Sequence, residues 1–233
     1  MDNVPSYVAA VFLLTTLATI AFLIQAIKAV GVRSLPSQIL AFLLPLWLIL
    51  TGILALGGFY TQTDTVPPRV ALFAVLPAVV TIAGLFVAFR ASFIERLPLK
   101  LLTSLHVVRI PVELTLFWLS VTGAVPTIMT FGGRNFDILS GLLAPVVWFL
   151  AFRGGRTRKW LLVAYNILGL ILLANIVTIA ILALPSPAQQ IAFEQPNRAV
   201  MYFPYIWLPA IVVPAVLFAH LSALWKLARN KLS

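Results

Sequence analysis

The chain has 233 residues, of which 62% are apolar and 9% charged, with a net charge of +10 and a mean hydropathy of +1.07. Soluble domains carry about a quarter charged residues, so a water-soluble globule is excluded, and too little of the chain is polar for disorder. There is no cysteine, which removes disulfides, thiolate metal sites, iron–sulfur clusters and thiol catalysis together.

Crossing a hydrocarbon core of about 30 Å takes about 20 apolar residues. Such runs fall at about 7–27, 39–60, 70–89, 101–121, 138–152, 160–184 and 200–225. They predict an all-α polytopic transmembrane helical bundle of about seven spans, a single integral membrane domain over 1–233. The first run is not read as a secretory signal: Asp2 precedes it without Lys or Arg, and no small-residue cleavage site falls before Lys28. The fifth is short because charges delimit it, and it can borrow depth from 131–136.

The connections alternate in charge. Lys28 and Arg33 follow the first span, Arg90, Arg96 and Lys100 the third. Arg153, Arg156, Arg158 and Lys159 follow the fifth, and Lys226, Arg229 and Lys231 the seventh. The other side holds Arg69, Arg134 and Arg198, offset by Asp2, Asp64, Asp137 and Glu194. Twelve basic residues against three put the N-terminus outside and the C-terminus in the cytoplasm by the positive-inside rule. The charge then meets anionic headgroups; nucleic acid is not implied.

The longest connections, at 61–69, 123–137 and 185–199, carry Pro67-Pro68, Gly132-Gly133 and Pro185-Ser-Pro187, which punctuate helices. In the last span Pro204, Pro209 and Pro214 recur every five residues. Each removes a backbone donor and leaves a carbonyl to be satisfied inside protein, so this helix is expected to be kinked and enclosed. The three prolines are hinge candidates.

His106, Arg109 and Glu113 lie in the fourth span, within an arc of about 60° at helical pitch. Arg109 and Glu113 are four apart and can pair along the helix. Such groups cost about 2.5–3.5 kcal/mol each near mid-membrane, so they should face the bundle interior as a ligand or proton site. The alternative is a self-neutralised pair that fixes packing.

His220 in the last span and His106 lie at similar depth. Two histidines on different helices are the minimum for a bis-imidazole b-type haem, with structural or proton-relaying histidines as the alternative. No other cofactor is indicated. Asn166 and Asn175 in the sixth span fall on opposite faces. Asn175 with Thr178 is chosen for the Arg109–Glu113 level, although interhelical bonding explains either asparagine. Gln25, Thr15, Thr16 and Thr19 read as helix-packing polar residues, Asp64 and Glu194 as solvated. Ahead of the fifth span, Asn135 or Asp137 can cap the helix; the alternative folds the glycine turn inward and brings Arg134, Asn135 and Asp137 to an outer mouth.

The sequence holds no P-loop, His-Glu-x-x-His helix or Gly-x-Ser-x-Gly elbow, and the last span has no Schiff-base lysine before Lys226. No nucleophile or metal set accompanies Glu113, so an enzyme is not the expected class. The stretches Arg109-Ile-Pro-Val-Glu113, Gly133-Arg134-Asn135-Phe136-Asp137-Ile138-Leu139-Ser140-Gly141-Leu142-Leu143-Ala144-Pro145 and Asn166 to Leu170 resemble uncharacterised bacterial multi-pass membrane proteins. In that group an Arg-bearing helix leads to a Gly-x-x-Asp-Ile-x-x-Gly-Leu-x-Ala-Pro segment. The resemblance implies a bacterial inner-membrane protein, singles out Arg109 and Asp137, and carries no known activity.

Three functions remain: a small-solute or proton-coupled carrier (or a ligand-binding membrane protein of that kind) built on Arg109, Glu113, His106 and Asn175; a haem protein with His106 and His220 as ligands; and a non-catalytic accessory or sensor subunit. The expected partners are the bilayer and a small anionic or protonatable solute.

Overall fold

A computed structural model describes residues 1, 3–155 and 157–231; Asp2 and Arg156, counted above in the charge sorting, lie outside the described residues. Among these the chain has no strand. Seven helices are long and apolar enough to cross a membrane: α1 Ser6–Val30, α2 Leu35–Leu56, α3 Ala71–Ala88, α4 Leu99–Val121, α5 Ile138–Gly155, α6 Lys159–Leu182 and α7 Leu208–Ala228. The protein is an all-helical, membrane-embedded bundle.

Side chains confirm which connections share an end. Lys159 Nζ donates to Asn230 Oδ1 (2.6 Å), and Lys226 Nζ donates to the carbonyls of Glu95 (3.0 Å) and Leu97 (2.5 Å). The basic connections after the third and fifth spans and the basic C-terminal segment therefore gather at one end, called here the basic end. Lys226 itself is fully buried and closes loop carbonyls rather than meeting headgroups. At the opposite, loop end, Gln195 Nε2 donates to the carbonyls of Ser120 (2.9 Å) and Val125 (2.5 Å), and the Arg198 and Ala199 amides bond the Ala124 carbonyl.

Enclosure differs sharply between helices: in an 18-residue apolar stretch of each, 61% is buried in α7 and 50% in α4, against 17% in α2 and α3. α7 packs on α6 and α4, and α4 on α1 and α5, so α4 and α7 form the centre.

Prolines set the local breaks. The seventh span begins at Leu208 rather than near Val200, because Pro204 and Pro209 interrupt the helix and residues 202–206 form a bend and turns. α7 opens with a π-helical turn, Leu208–Val212, before its α-helical part at Val213, and α3 opens with another at Ala71–Val75. The two π turns touch. Pro214 has no N–H for the carbonyl of Ala210, and the Trp47 indole N–H supplies one (3.2 Å). Pro77 likewise cannot serve Phe73, whose carbonyl takes the Tyr60 hydroxyl (3.3 Å). Trp207 returns the first bond by donating to the Leu48 carbonyl (3.0 Å), so α2 and α7 are clasped reciprocally. In α4, Pro111 cannot donate to Val107, and the helix passes through a 3-10 turn at His106–Val108 before resuming at Arg109.

Candidate functional site

The 3-10 turn turns His106 and Arg109 towards the bundle centre, where both are buried. Arg109 does not pair with Glu113. Its Nε donates to Asp137 Oδ2 (2.8 Å) and its Nη2 lies 2.6 Å from Asp137 Oδ1. Nη1 donates to Ser140 Oγ (2.5 Å) and to His220 Nε2 (3.2 Å), and Nη2 also reaches the Gly169 carbonyl (3.2 Å). All three guanidinium nitrogens are engaged, by groups from α5, α6, α7 and the residue that precedes α5. Partners at five atoms answer the cost of placing this charge in a low-dielectric interior.

The expected Arg109–Glu113 pair fails because a better acceptor reaches Arg109 from the loop. Asn135 is fully buried; its Oδ1 accepts the Asp137 amide (3.0 Å) while its Nδ2 donates to Glu113 Oε1 (2.6 Å) and the Met129 carbonyl (2.9 Å). That arrangement folds the 123–137 connection inward and presents Asp137 to Arg109. Gly133 is needed in the turn, since a Cβ there would strike Thr127 and Ile128 backbone. Asp137 precedes α5 but makes no side-chain cap: its carboxylate is committed to Arg109. Arg134 stays exposed, outside the cluster.

His220 links the cluster to α6. An arginine only donates, so His220 Nε2 accepts; Nδ1 then holds the proton and donates to Asn166 Oδ1 (2.8 Å), a tautomer assigned from the network. Asn166 Nδ2 in turn donates to the Leu162 carbonyl (2.7 Å). Gly169 permits this approach: a Cβ there would overlap the His220 ring. Tyr165 donates to the Ser140 carbonyl (2.9 Å) and stands edge-on to His106.

His106 stacks on His220, with ring centroids 3.7 Å apart and planes 15° apart. This geometry does not fit a bis-imidazole haem. Axial histidines approach iron nitrogen-first from opposite faces of a macrocycle, whereas here the rings lie face to face and both His220 nitrogens are committed. Three buried atoms in the network have no hydrogen-bond or ion-pair partner: Glu113 Oε2 and both nitrogens of His106.

Asn175 is not brought to the site. It is exposed and donates to the Arg134 carbonyl (2.8 Å) near the loop end. Of the hinge candidates, Pro204 lies in the turn before α7, Pro209 within its π turn and Pro214 at the start of its α-helical part. Ser140, Tyr165, Asn166 and Gly169 join the cluster without having been singled out as site residues. Asn166 and Gly169 sit together in the Asn-x-Leu-Gly-Leu stretch, and Ser140 in the segment after Asp137; those motifs held the signal.

These features define a class: a seven-helix membrane protein whose central helices are joined by a buried arginine–carboxylate–histidine cluster. The chain belongs to the family described as Domain of unknown function (DUF8737), whose model matches residues 67–228, covering α3 to α7 and every residue of the cluster. No curated protein and no solved structure matches it.

Proposed function

We propose that the protein is a proton-linked carrier of a small anionic solute in a bacterial inner membrane, with its basic end in the cytoplasm. The observation that carries this reading is the pair of buried, incompletely partnered protonatable groups, His106 and Glu113, beside a fully engaged Arg109. A buried polar atom without a partner costs about 1–3 kcal/mol, and intramembrane ionisable groups mark ion and proton pathways by default.

The chemistry is an exchange of partners. A proton on Glu113 Oε2 leaves the Asn135 bond at Oε1 in place, and Arg109 holds Asp137. Loss of that proton makes Glu113 a second carboxylate one helical turn from Arg109, in competition with Asp137. Releasing Asp137 frees the 123–137 connection that Asn135 and Asp137 pin, and opens the guanidinium to the loop end. A guanidinium matches carboxylate or phosphate oxygens in a fork, which sets the solute class. The π turns of α3 and α7 supply adjustable backbone beside the centre.

An accessory or sensor subunit is the second reading, favoured by how completely Arg109 ties α4 to α5, α6 and α7. Proteoliposomes holding a pH-sensitive dye separate the two. Gradients of inorganic phosphate, succinate and glutamate are imposed in turn across vesicles containing the wild-type protein. The carrier reading expects proton movement with at least one anion; silence with all three, from folded protein, favours the accessory reading.

A further inference from the structure

The cluster occupies one face of α7. On another face of the same helix lies a crevice of about 310 Å³, walled by Ile27 of α1, Trp47 of α2, Ala78 of α3, Phe93 in the following loop, and Ile211 and Phe218 of α7. Its size falls at the lower end of small-molecule sites, about 300–1,000 Å³, and its walls are almost entirely apolar. It exists because α2 and α3 stand away from the centre: α2 is held to α7 by the two tryptophan clasps, at Ala210 and Leu48, and packs on α1. Leu43, Leu46 and Leu50 of α2 line it and are exposed, so it opens sideways at the depth of the hydrocarbon core.

Water finds few polar partners there, and an open apolar crevice inside a bilayer is in contact with acyl chains. Its basic-end limit is marked by Ile27 and Phe93. Lys28 follows Ile27, and Arg90 and Arg96 flank Phe93; all three cations are exposed. We infer that the crevice between α1, α2, α3 and α7 is a specific site for one anionic phospholipid, with an acyl chain along Trp47 and Phe218 and the phosphate among Lys28, Arg90 and Arg96. The inference does not depend on transport.

Native mass spectrometry of the full chain in detergent, with an equimolar mixture of phosphatidylglycerol and phosphatidylcholine, tests it. A one-lipid adduct enriched in phosphatidylglycerol is expected. The double variant Lys28→Gln, Arg90→Gln lowers that preference by about fivefold per charge removed and leaves chain binding in place, and Ala78→Trp fills the crevice and removes the adduct. A second measurement needs no variant: phosphatidylglycerol with a photoreactive acyl chain, in vesicles with the wild-type protein, should label peptides containing Trp47, Ala78 or Phe218. Labelling spread evenly over the exposed faces of α5 and α6, no one-lipid adduct, no headgroup preference, or a dimer in place of the adduct (a second copy covering the crevice) would each overturn the site.

Discussion

Arg109 reaches past Glu113, its neighbour one helical turn along α4, to pair with Asp137, 28 residues further on. The pairing joins the centre of the bundle to the start of α5 and leaves Glu113 to Asn135. The two carboxylates of the site therefore have different surroundings: Asp137 balances the buried charge, and Glu113 keeps one buried oxygen without a hydrogen-bond partner.

That division predicts unequal stability losses. Asp137→Leu strands the Arg109 charge and should cost about 3–5 kcal/mol, while Glu113→Gln keeps an acceptor for Asn135 and should cost about 1 kcal/mol or less. Arg109→Met combined with Asp137→Leu should recover much of the loss. Denaturant unfolding in detergent measures all four chains; equal losses for the two single carboxylate variants would contradict the assignment.

Gly169 and His220 should be coupled. Gly169→Ala forces the His220 ring off the α6 surface and should cost about 1–3 kcal/mol. In a His220→Ala background the same change should be nearly silent, giving an interaction energy above about 0.5 kcal/mol in a double-mutant cycle. Additive effects would show that the ring does not occupy the space above Gly169.

The clasp between α2 and α7 makes a similar test of the proline argument. Trp47→Phe leaves the Ala210 carbonyl without its donor and should cost about 1–3 kcal/mol. Pro214→Ala restores a backbone N–H to that carbonyl, so the penalty for Trp47→Phe should shrink in that background. An unchanged penalty would mean that the indole contributes packing alone.

The asparagines of α6 should separate cleanly. Asn166→Ala removes the acceptor of the His220 proton and should cost about 1–3 kcal/mol; Asn175→Ala, on an exposed position, should stay within about 0.5 kcal/mol of the wild type. Thermal midpoints in detergent suffice, and a larger effect at Asn175 would reverse the assignment.

The seven spans and the grouping of the basic loops were legible because hydrophobic length and charge act locally along the chain. Arg109, His106, His220 and Asp137 were each visible as costly or well-placed residues. Their pairing was not. An i to i+4 rule sees Glu113 from Arg109 but cannot see that Asn135 folds the loop back and delivers Asp137. Asn175 was preferred to Asn166 because no depth was assigned along α6; its start at Lys159 places Asn166, seven residues in, close to the level of His106, seven residues beyond Leu99. The late start of α7 followed from Pro204 and Pro209 together, whose effect on helix onset depends on the turns around them.

The central claim is that Glu113 carries the proton whose loss releases Arg109 from Asp137. It is tested most directly by Glu113→Gln in proteoliposomes, with proton movement and exchange of the transported anion recorded in the same vesicles. The account predicts that proton movement and anion exchange are lost together from a folded protein, because a neutral amide at this position cannot draw Arg109 from Asp137. Proton movement at the wild-type rate in Glu113→Gln would contradict it.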